Sequence, residues 1–182
     1  MIEVIEVSGH KLVSMDGVVQ SSIPPYKNGY WRQMIPDDFT PENALVLGLG
    51  AGTVCQELKG LFPDVDIEAV DRDKEMIKIA ERNFNVRSFV STIYKQDAHD
   101  FIVTLAPEKL YSLIIVDLFN GFDFSLKTAT EVFLTACKQH LSEGGYLSLN
   151  MPSFDSLEKQ FQTVKRSAYN KIYFYQKKTL LG

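Results

Sequence analysis

A glycine-rich loop between an apolar strand and a helix is the first candidate for ligand chemistry. The run Leu45–Thr53 reads LVLGLGAGT and places Gly48, Gly50 and Gly52 at alternate positions. Glycine lets the chain turn tightly and bring backbone N–H groups against a ligand at a helix N-terminus. The spacing is G-x-G-x-G and lacks the full G-x-G-x-x-G of dinucleotide folds. The loop alone therefore fits several nucleotide ligands.

Acidic residues follow the next two strands. Asp71 ends the second strand, where a carboxylate can accept both hydroxyl groups of an adenosine ribose. The alternative for Asp71 is a solvated loop acid beside Asp73, and its position after a glycine loop favours the ribose role. Asp97 and Ala98 follow the third strand, where the carboxylate can accept from the adenine amino group and the backbone can reach a ring nitrogen. A helix N-cap is an almost equal interpretation of Asp97, and both roles can hold together.

Alternating strands and helices must position these residues. From Asn43 onward, apolar strands alternate with amphipathic helices, which predicts right-handed crossovers and an α/β, doubly wound, mostly parallel Rossmann-like sheet. Ligands of such sheets bind beyond the carboxyl ends of the strands. The expected strands are Ala44–Leu47, Asp66–Val70, Thr92–Lys95, Ser112–Val116, Tyr146–Asn150 and Ile172–Gln176. The expected helices are Val54–Leu61, Met76–Phe84 after an N-cap at Asp73, His99–Leu105, Thr128–Leu141 and Phe154–Ala168.

The N-terminal region has a different period. Three short alternating runs, Ile2–Val7, Lys11–Ser14 and Val18–Ser21, are separated by turn signals, of which Asp16-Gly17 is the stronger. They predict a small antiparallel β meander, followed by a connector with one helical turn around Gly29–Met34. We therefore expect a meander and connector over residues 1–40 and a nucleotide-binding domain over residues 41–182.

Composition excludes several classes of function. The 182 residues carry a net charge of −4 with no basic stripe, which argues against nucleic-acid binding. No apolar run reaches the roughly 18 residues that span a bilayer. Met1–Lys11 alternates apolar and acidic residues, unlike a signal peptide, and this predicts a cytoplasmic protein. The three histidines show no metal-ligand spacing, so no metal is expected: His10, His99 and His140.

Four segments, taken in order, resemble the spermidine synthase-like (polyamine aminopropyltransferase) proteins of the class I methyltransferase superfamily. They are LVLGLGAGT, AVDRD, KQDAHDF and IIVDLFNG. The resemblance extends upstream to Met15–Ser21, which is similar to the segment joining that family's small β-domain to its catalytic domain. It implies that the ligand is S-adenosylmethionine or decarboxylated S-adenosylmethionine, and that the second substrate is a small-molecule acceptor.

The resemblance also implies roles for individual residues. Gln20 would contact the nucleotide ligand, with the glycine loop, Asp71 and Asp97 around the adenosine. Asp117, after the buried fourth strand, matches the acid that deprotonates the attacking amine. An amine nucleophile is protonated near neutral pH, so a nearby carboxylate can hold it and remove its proton. Tyr30 and Trp31 match the substrate gate, where they would stack on a ligand or simply fill space.

Departures from the family pattern favour methyl transfer over aminopropyl transfer. Asn120 stands where the family usually has a second acid, and Asp123 is a substitute at a different offset. Ala51 replaces a loop acid that meets the aminopropyl amine, and Arg32 would put a cation where a cationic substrate lies. The phenylalanines that follow Asp117 would wall an apolar acceptor pocket, or form an apolar loop on the sheet edge: Phe119, Phe122 and Phe124.

Three alternatives remain beside S-adenosylmethionine-dependent methyl transfer. One is a true aminopropyltransferase, and another is a catalytically silent adenosine-binding or dimerisation module. An NAD-dependent reductase fits the loop spacing less well. Because six residues follow Gln176, we also expect the last strand of the sheet to be missing. Pairing with a partner chain as a homodimer, a shortened chain or a minimal family member would each account for that.

Overall fold

The computed structural model describes residues 2–26, 29–120, 123–124, 130–152, 161, 163–166 and 171–178. The strands in chain order are β1 (Ile2–Val7), β2 (His10–Met15), β3 (Val18–Ile23), β4 (Asn43–Leu47), β5 (Asp66–Asp71), β6 (Thr92–Lys95), β7 (Tyr111–Val116), β8 (Phe119–Asn120), β9 (Asp123–Phe124), β10 (Leu141–Met151), β11 (Thr163–Arg166) and β12 (Lys171–Gln176). The α-helices are α1 (Tyr30–Gln33), α2 (Thr53–Leu61), α3 (Lys74–Asn83), α4 (Ala98–Thr104) and α5 (Glu131–Gln139).

The main sheet of the described residues has seven strands in the order β11-β12-β10-β7-β4-β5-β6. Five consecutive strands run parallel to one another, β10, β7, β4, β5 and the edge strand β6, and β12 runs antiparallel to both of its neighbours. One cluster of buried residues covers the face with α1, α2 and α3, and a second covers the face with α4 and α5. The prediction of a doubly wound, mostly parallel Rossmann-like sheet is therefore confirmed.

The C-terminal part of the sheet corrects two predictions. The predicted helix Phe154–Ala168 is wrong at residues 163–166, which form β11 and pair with β12 from Thr163↔Phe174 to Arg166↔Lys171. Pairing with an existing strand outweighs a weak local helical pattern. The prediction of a missing last strand is also wrong, because β12 lies between β10 and β11. The rest of the predicted helix, residues 153–160, 162 and 167–168, lies outside the described residues.

The helix before β10 is shorter than its pattern predicts. Helix α5 begins after Thr130, whose side chain accepts from the N–H of Phe133, and ends with His140 as its C-cap. Leu141 already belongs to β10, where it pairs with Tyr111. The predicted helix start at Thr128 lies outside the described residues. The Gly144-Gly145 pair, which the sequence suggests as a helix stop, lies within β10 itself. The pairing of β10 with β7 shifts register between Leu141 and Tyr146.

The N-terminal meander forms the predicted three-stranded antiparallel sheet, β1-β2-β3. Asp16 and Gly17 both have positive φ, 50° and 81°, in the turn between β2 and β3. Val13 of β2 packs with Ala51, Met76 and Phe84 of the larger unit. The meander thus rests on the glycine loop and on α3. A domain boundary at residues 40–41 remains a prediction.

Candidate functional site

A cavity of about 310 Å³ opens at the carboxyl ends of β4, β5 and β7. This is the edge at which ligands of doubly wound sheets bind. Ten of the residues singled out from the sequence line it: Gln20, Tyr30, Trp31, Gly48, Gly50, Asp71, Asp97, Ala98, Asp117 and Phe119. Residues from the meander, from the main sheet and from the start of α4 therefore meet around one space.

Asp71 holds two parts of the cavity wall. Its Oδ2 accepts a hydrogen bond from the backbone N–H of Gly50 at 3.1 Å, and its Oδ1 accepts from the N–H of Asp73 at 2.9 Å. Burial raises the pKa of the Asp71 carboxyl, and the two backbone hydrogen bonds act against that shift. Each carboxylate oxygen has a second lone pair, so Asp71 can still accept from a ligand hydroxyl.

Asp97 is the N-cap of α4. Its Oδ1 accepts from the N–H groups of His99 and Asp100 at 3.0 and 3.4 Å. Its Oδ2 lies 3.5 Å from the Arg72 guanidinium, which also lines the cavity. The capping interpretation of Asp97 is therefore confirmed, and the side chain still lines the cavity, so an adenine contact is compatible with it. The predicted N-cap at Asp73 of α3 is confirmed as well.

The glycine loop touches the strand that carries Asp117. Gly48 has φ +99°, and a Cβ added there would overlap the backbone oxygen of Asp117. Only glycine permits this approach of the two backbones. The N–H of Asp117 in turn donates to the backbone oxygen of Leu47 at 2.9 Å. The loop and the acid are therefore held together as one rigid edge.

Two amides of the loop are bonded to protein side chains. The N–H of Gly50 donates to Asp71, and the N–H of Ala51 donates to Oγ of Ser21 in β3 at 2.9 Å. A second contact joins the N–H of Ser22 to Oγ1 of Thr53 at the start of α2, also at 2.9 Å. The meander, which lies outside the main sheet, thus supports the glycine loop through hydrogen bonds.

Asp117 accepts hydrogen bonds at both carboxylate oxygens. Nδ2 of Asn150 donates to Oδ1 at 2.9 Å, and the Tyr30 hydroxyl donates to Oδ2 at 3.1 Å. Burial raises the pKa of Asp117 to about 6, while the hydrogen bonds from Asn150 and then Tyr30 act in the opposite direction. Burial and the nearby Asp117 charge raise the pKa of the Tyr30 hydroxyl. A carboxyl that titrates near pH 6 is matched to general-base work close to neutral pH.

The family follows from this fold and from comparison with known proteins. A family model described as the methyltransferase small domain matches residues 32–175. The chain belongs to this methyltransferase family. The resemblance to the spermidine synthase-like proteins is confirmed, and the scaffold is that of the class I S-adenosylmethionine-dependent methyltransferases.

Curated relatives of this methyltransferase-family chain carry two kinds of name. It is 32% identical over 139 residues to a polyamine aminopropyltransferase of Vibrio vulnificus, covering 75% of this chain and 46% of the relative. It is 33% identical over 124 residues to a malonyl-[acyl-carrier protein] O-methyltransferase of Bacillus cereus, covering 66% of this chain and 42% of the relative. The chain thus spans about half the length of these relatives.

Solved structures share the fold of this methyltransferase-family chain. A probable spermidine synthase from Corynebacterium glutamicum superposes with a TM-score of 0.78 at 21% identity, covering 96% of this chain and 76% of that one. Human methyltransferase-like protein 13, in complex with SAH, superposes with a TM-score of 0.65 at 24% identity, covering 78% and 74%. These likenesses establish the fold.

Several predicted site residues lie elsewhere than expected. Gly52 is absent from the cavity wall and is the N-cap of α2, where an added Cβ would meet Val86 and Phe89. Arg32 also lies away from the cavity wall and pairs with Asp37 at 3.6 Å. The prediction that Arg32 places a cation at the substrate position is therefore wrong, because the single turn of α1 directs Tyr30 and Trp31, and not Arg32, to the cavity.

Asn120 and Asp123 pair with each other across β8 and β9, which form a two-stranded sheet separate from the main sheet. Their side chains, like that of Phe124 and all of Phe122, lie outside the described residues. Phe119, the first residue of β8, lines the cavity beside Leu118. The acceptor side of the described wall is therefore aromatic and apolar around a single acid, Asp117.

The sequence interpretation missed several contributors to the cavity. Ser21 and Asn150 bond directly to the loop and to Asp117, and Arg72, Met15 and Met76 line the wall. Asn150 had a visible signal, since it is a polar residue at the end of an apolar strand next to the strand of Asp117. Ser21 lies in the Met15–Ser21 segment of the resemblance, but its contact with the loop could not be predicted because it depends on how the meander docks.

Two searches of the described residues bear on other site types. No group of three or more His, Cys, Asp or Glu side chains stands close enough together there to hold a metal ion. No helix among the same residues combines the length and apolar character that a bilayer crossing requires.

Proposed function

We propose that this chain binds S-adenosylmethionine in the cavity beside the glycine loop and transfers its methyl group to a small-molecule acceptor held against Asp117. The coarse part of this proposal, an S-adenosylmethionine-dependent scaffold, follows from the family. The donor, the chemistry and the acceptor are the proposal itself.

The bonding of the loop amides is the observation that carries the donor assignment. In dinucleotide and P-loop sites, backbone N–H groups at a helix N-terminus remain available for phosphate oxygens. Here the amides of Gly50 and Ala51 are already bonded to Asp71 and Ser21, and Asp71 adds a carboxylate to the same corner. A pyrophosphate bound here would find both amide donors already in use, and the Asp71 carboxylate would repel its negative charge. An adenosine with a cationic sulfonium group avoids both penalties, which supports S-adenosylmethionine over a nicotinamide dinucleotide.

The cavity residues fit such a ligand. A space of about 310 Å³ lies at the lower end of the range of small-ligand pockets, roughly 300–1,000 Å³. Asp71 would hold the ribose, and Asp97 with Ala98 would meet the adenine edge, with Gln20 near the loop. The sulfonium group supplies a methyl carbon with a good leaving group, so orientation by the protein provides much of the rate.

Asp117 supports a general-base role on the acceptor. It is partly buried and faces the cavity, and desolvation raises its pKa to about 6. It would accept the proton from an N–H or O–H group that attacks the methyl carbon, while Tyr30 holds its second oxygen. The aromatic and apolar walls from Tyr30, Trp31 and Phe119 favour an acceptor with a flat or apolar body.

Aminopropyl transfer from decarboxylated S-adenosylmethionine is the second candidate. The relative from Vibrio vulnificus supports it, and so does Arg32, which leaves the cavity free of its charge. Against it, a diamine needs an anion for its far ammonium group. Among the described wall residues the other acids, Asp71, Asp73 and Asp97, lie on the adenosine side. Methyl transfer is therefore ranked first.

Calorimetric titration with both donors tests the ranking. We expect S-adenosylmethionine to bind at least as tightly as its decarboxylated form. A preference of more than tenfold for the decarboxylated form would reverse the ranking in favour of aminopropyl transfer. A folded protein that binds neither donor would contradict the proposal and support a silent module. Asp71→Ala, measured in parallel, separates binding at this site from binding elsewhere.

A further inference from the structure

Asn150 stands at the end of β10, next to the strand that ends in Asp117. Leu149 pairs with Val116 across β10 and β7, so the following residues of the two strands, Asn150 and Asp117, are neighbours at the carboxyl edge. Along β10 the side chains alternate between faces. Leu147, Leu149 and Met151 belong to the cluster beneath α4 and α5, which leaves Asn150 on the opposite face with Ser148.

Within the part of the chain that the structure describes, the Asn150 amide has a hydrogen-bond partner at only one of its two ends. Its Nδ2 donates to Oδ1 of Asp117 at 2.9 Å, but its Oδ1 is buried without a hydrogen-bond partner among the described residues. The residue is only 2% exposed. A buried, unpaired carbonyl oxygen is destabilising, because it has lost its hydrogen bonds to water without replacement. A side chain selected only for stability would pair both ends of its amide, so the unpaired end needs an explanation.

The two donors to Asp117 approach different oxygens. Tyr30 reaches Oδ2 from α1, and Asn150 reaches Oδ1 from β10. Hydrogen bonds at both oxygens fix the rotation of the carboxylate about its χ2 torsion, which is otherwise broad. They also favour the ionised form, which accepts such bonds and is the form that can take a proton.

We infer that Asn150 is a positioning residue, which acts through Asp117 by orienting its carboxylate and stabilising the ionised form. This inference rests on the proposed function for its catalytic meaning. The effect on Asp117, however, is a property of the protein alone. It can be measured without a donor or an acceptor.

The test is a carboxyl ¹³C NMR titration of Asp117 in ligand-free protein, with the resonance assigned by its loss in Asp117→Asn. We expect the wild-type midpoint near 6. Asn150→Leu, which keeps the approximate volume and removes the donor, should raise that midpoint by about half a unit or more. Ser148→Ala is the matched control, because Ser148 is buried on the same face and its hydroxyl has no hydrogen-bond partner among the described residues, Asp117 included. It should leave the midpoint in place.

A second variant keeps the inference testable if Asn150→Leu does not fold. Asn150→Asp has the same shape and places two carboxyls side by side. Asp117 should then titrate in a coupled transition whose upper step lies above the wild-type midpoint. An Asp117 midpoint unchanged from wild type in whichever of these variants folds would overturn the inference and leave Asn150 as a link between strands.

Calorimetry distinguishes this result from the outcome for the proposed function. We expect Asn150→Leu to bind S-adenosylmethionine with a Kd within about twofold of wild type, because Asn150 acts through Asp117 and not on the donor. Failure of the wild-type protein to bind the donor would contradict the proposed function, while the titration would still decide the role of Asn150.

Discussion

The backbone N–H of Gly50 donates a 3.1 Å hydrogen bond to Oδ2 of Asp71. The acid that ends β5 therefore holds the loop that follows β4 before any ligand is bound. Its other oxygen holds the backbone of Asp73, at the N-terminus of α3. Asp71 is thus both a candidate ligand contact and a support for the loop.

Asp71→Ala is expected to weaken the binding of S-adenosylmethionine at least tenfold, about 1.4 kcal/mol, because charge-assisted hydrogen bonds to the ribose are lost. Isothermal titration calorimetry measures the change. The matched control is Asp66→Asn, an exposed acid at the other end of β5. Equal affinities for Asp71→Ala and wild type would show that the ribose is not held there.

Ser21→Ala tests the contribution of the meander to the loop. It removes the acceptor for the Ala51 N–H, a hydrogen bond worth roughly 1 kcal/mol, and should loosen the loop and weaken donor binding by about threefold to tenfold. Ser91→Ala removes a comparable hydroxyl, bonded to the Ile67 backbone oxygen at the opposite edge of the sheet. If both serine variants bind the donor like wild type, the meander does not support the site.

Asp117 makes stability depend on pH in a direction that is unusual for an acid. Its folded pKa of about 6 lies above the ordinary aspartate value of about 3.9. The unfolded chain therefore releases this proton first, and the contribution of Asp117 to stability falls as pH rises from about 4 to about 6, then levels off.

Asp117→Asn should consequently gain stability relative to wild type as the pH is raised. The difference in free energy of unfolding between the two proteins should grow by up to about 3 kcal/mol between pH 4 and pH 7.5. Urea denaturation at both pH values measures it, with Asp66→Asn as an exposed control. A difference that does not change with pH would mean that Asp117 titrates normally.

Gly48→Ala should destabilise the fold severely, by about 3 kcal/mol or more, because the new Cβ would overlap the Asp117 backbone oxygen at a positive φ. Gly60→Ala in α2 is the comparison, since nothing lies within 4 Å of its added Cβ. That change should be neutral or stabilise by up to about 1 kcal/mol. Chemical denaturation of both variants checks the pair, and similar losses in the two would contradict the tight contact at Gly48.

The sequence predicted the parts of the site that depend on local order along the chain. A strand followed by glycines, and acids that end the next strands, necessarily meet at one edge of a parallel sheet, so Gly48, Asp71, Asp97 and Asp117 could be placed together. The direction of Arg32 could not be predicted, because it depends on the phase of one helical turn. Whether a cavity residue binds the ligand also depends on contacts that no spacing encodes.

The errors at the C-terminal part of the sheet have a similar origin. Residues 163–166 look helical by local periodicity, and only their pairing with β12 makes them a strand. The order of strands at that edge follows from non-local hydrogen bonds, which short-range patterns do not record. Asn150 is an intermediate case: a polar residue at the end of an apolar strand is visible in the sequence, but its hydrogen bond to a side chain 33 positions away is not.

The insertion of β12 between β10 and β11 makes the attachment of β11 to the sheet depend on β12. Among the described residues, β11 pairs only with β12, so it has no place on the sheet until β12 has docked against β10. β11 nevertheless precedes β12 in the chain and emerges first during synthesis. In any state in which β12 is not docked, β10 presents an unpaired strand edge beside Asn150 to any neighbouring chain.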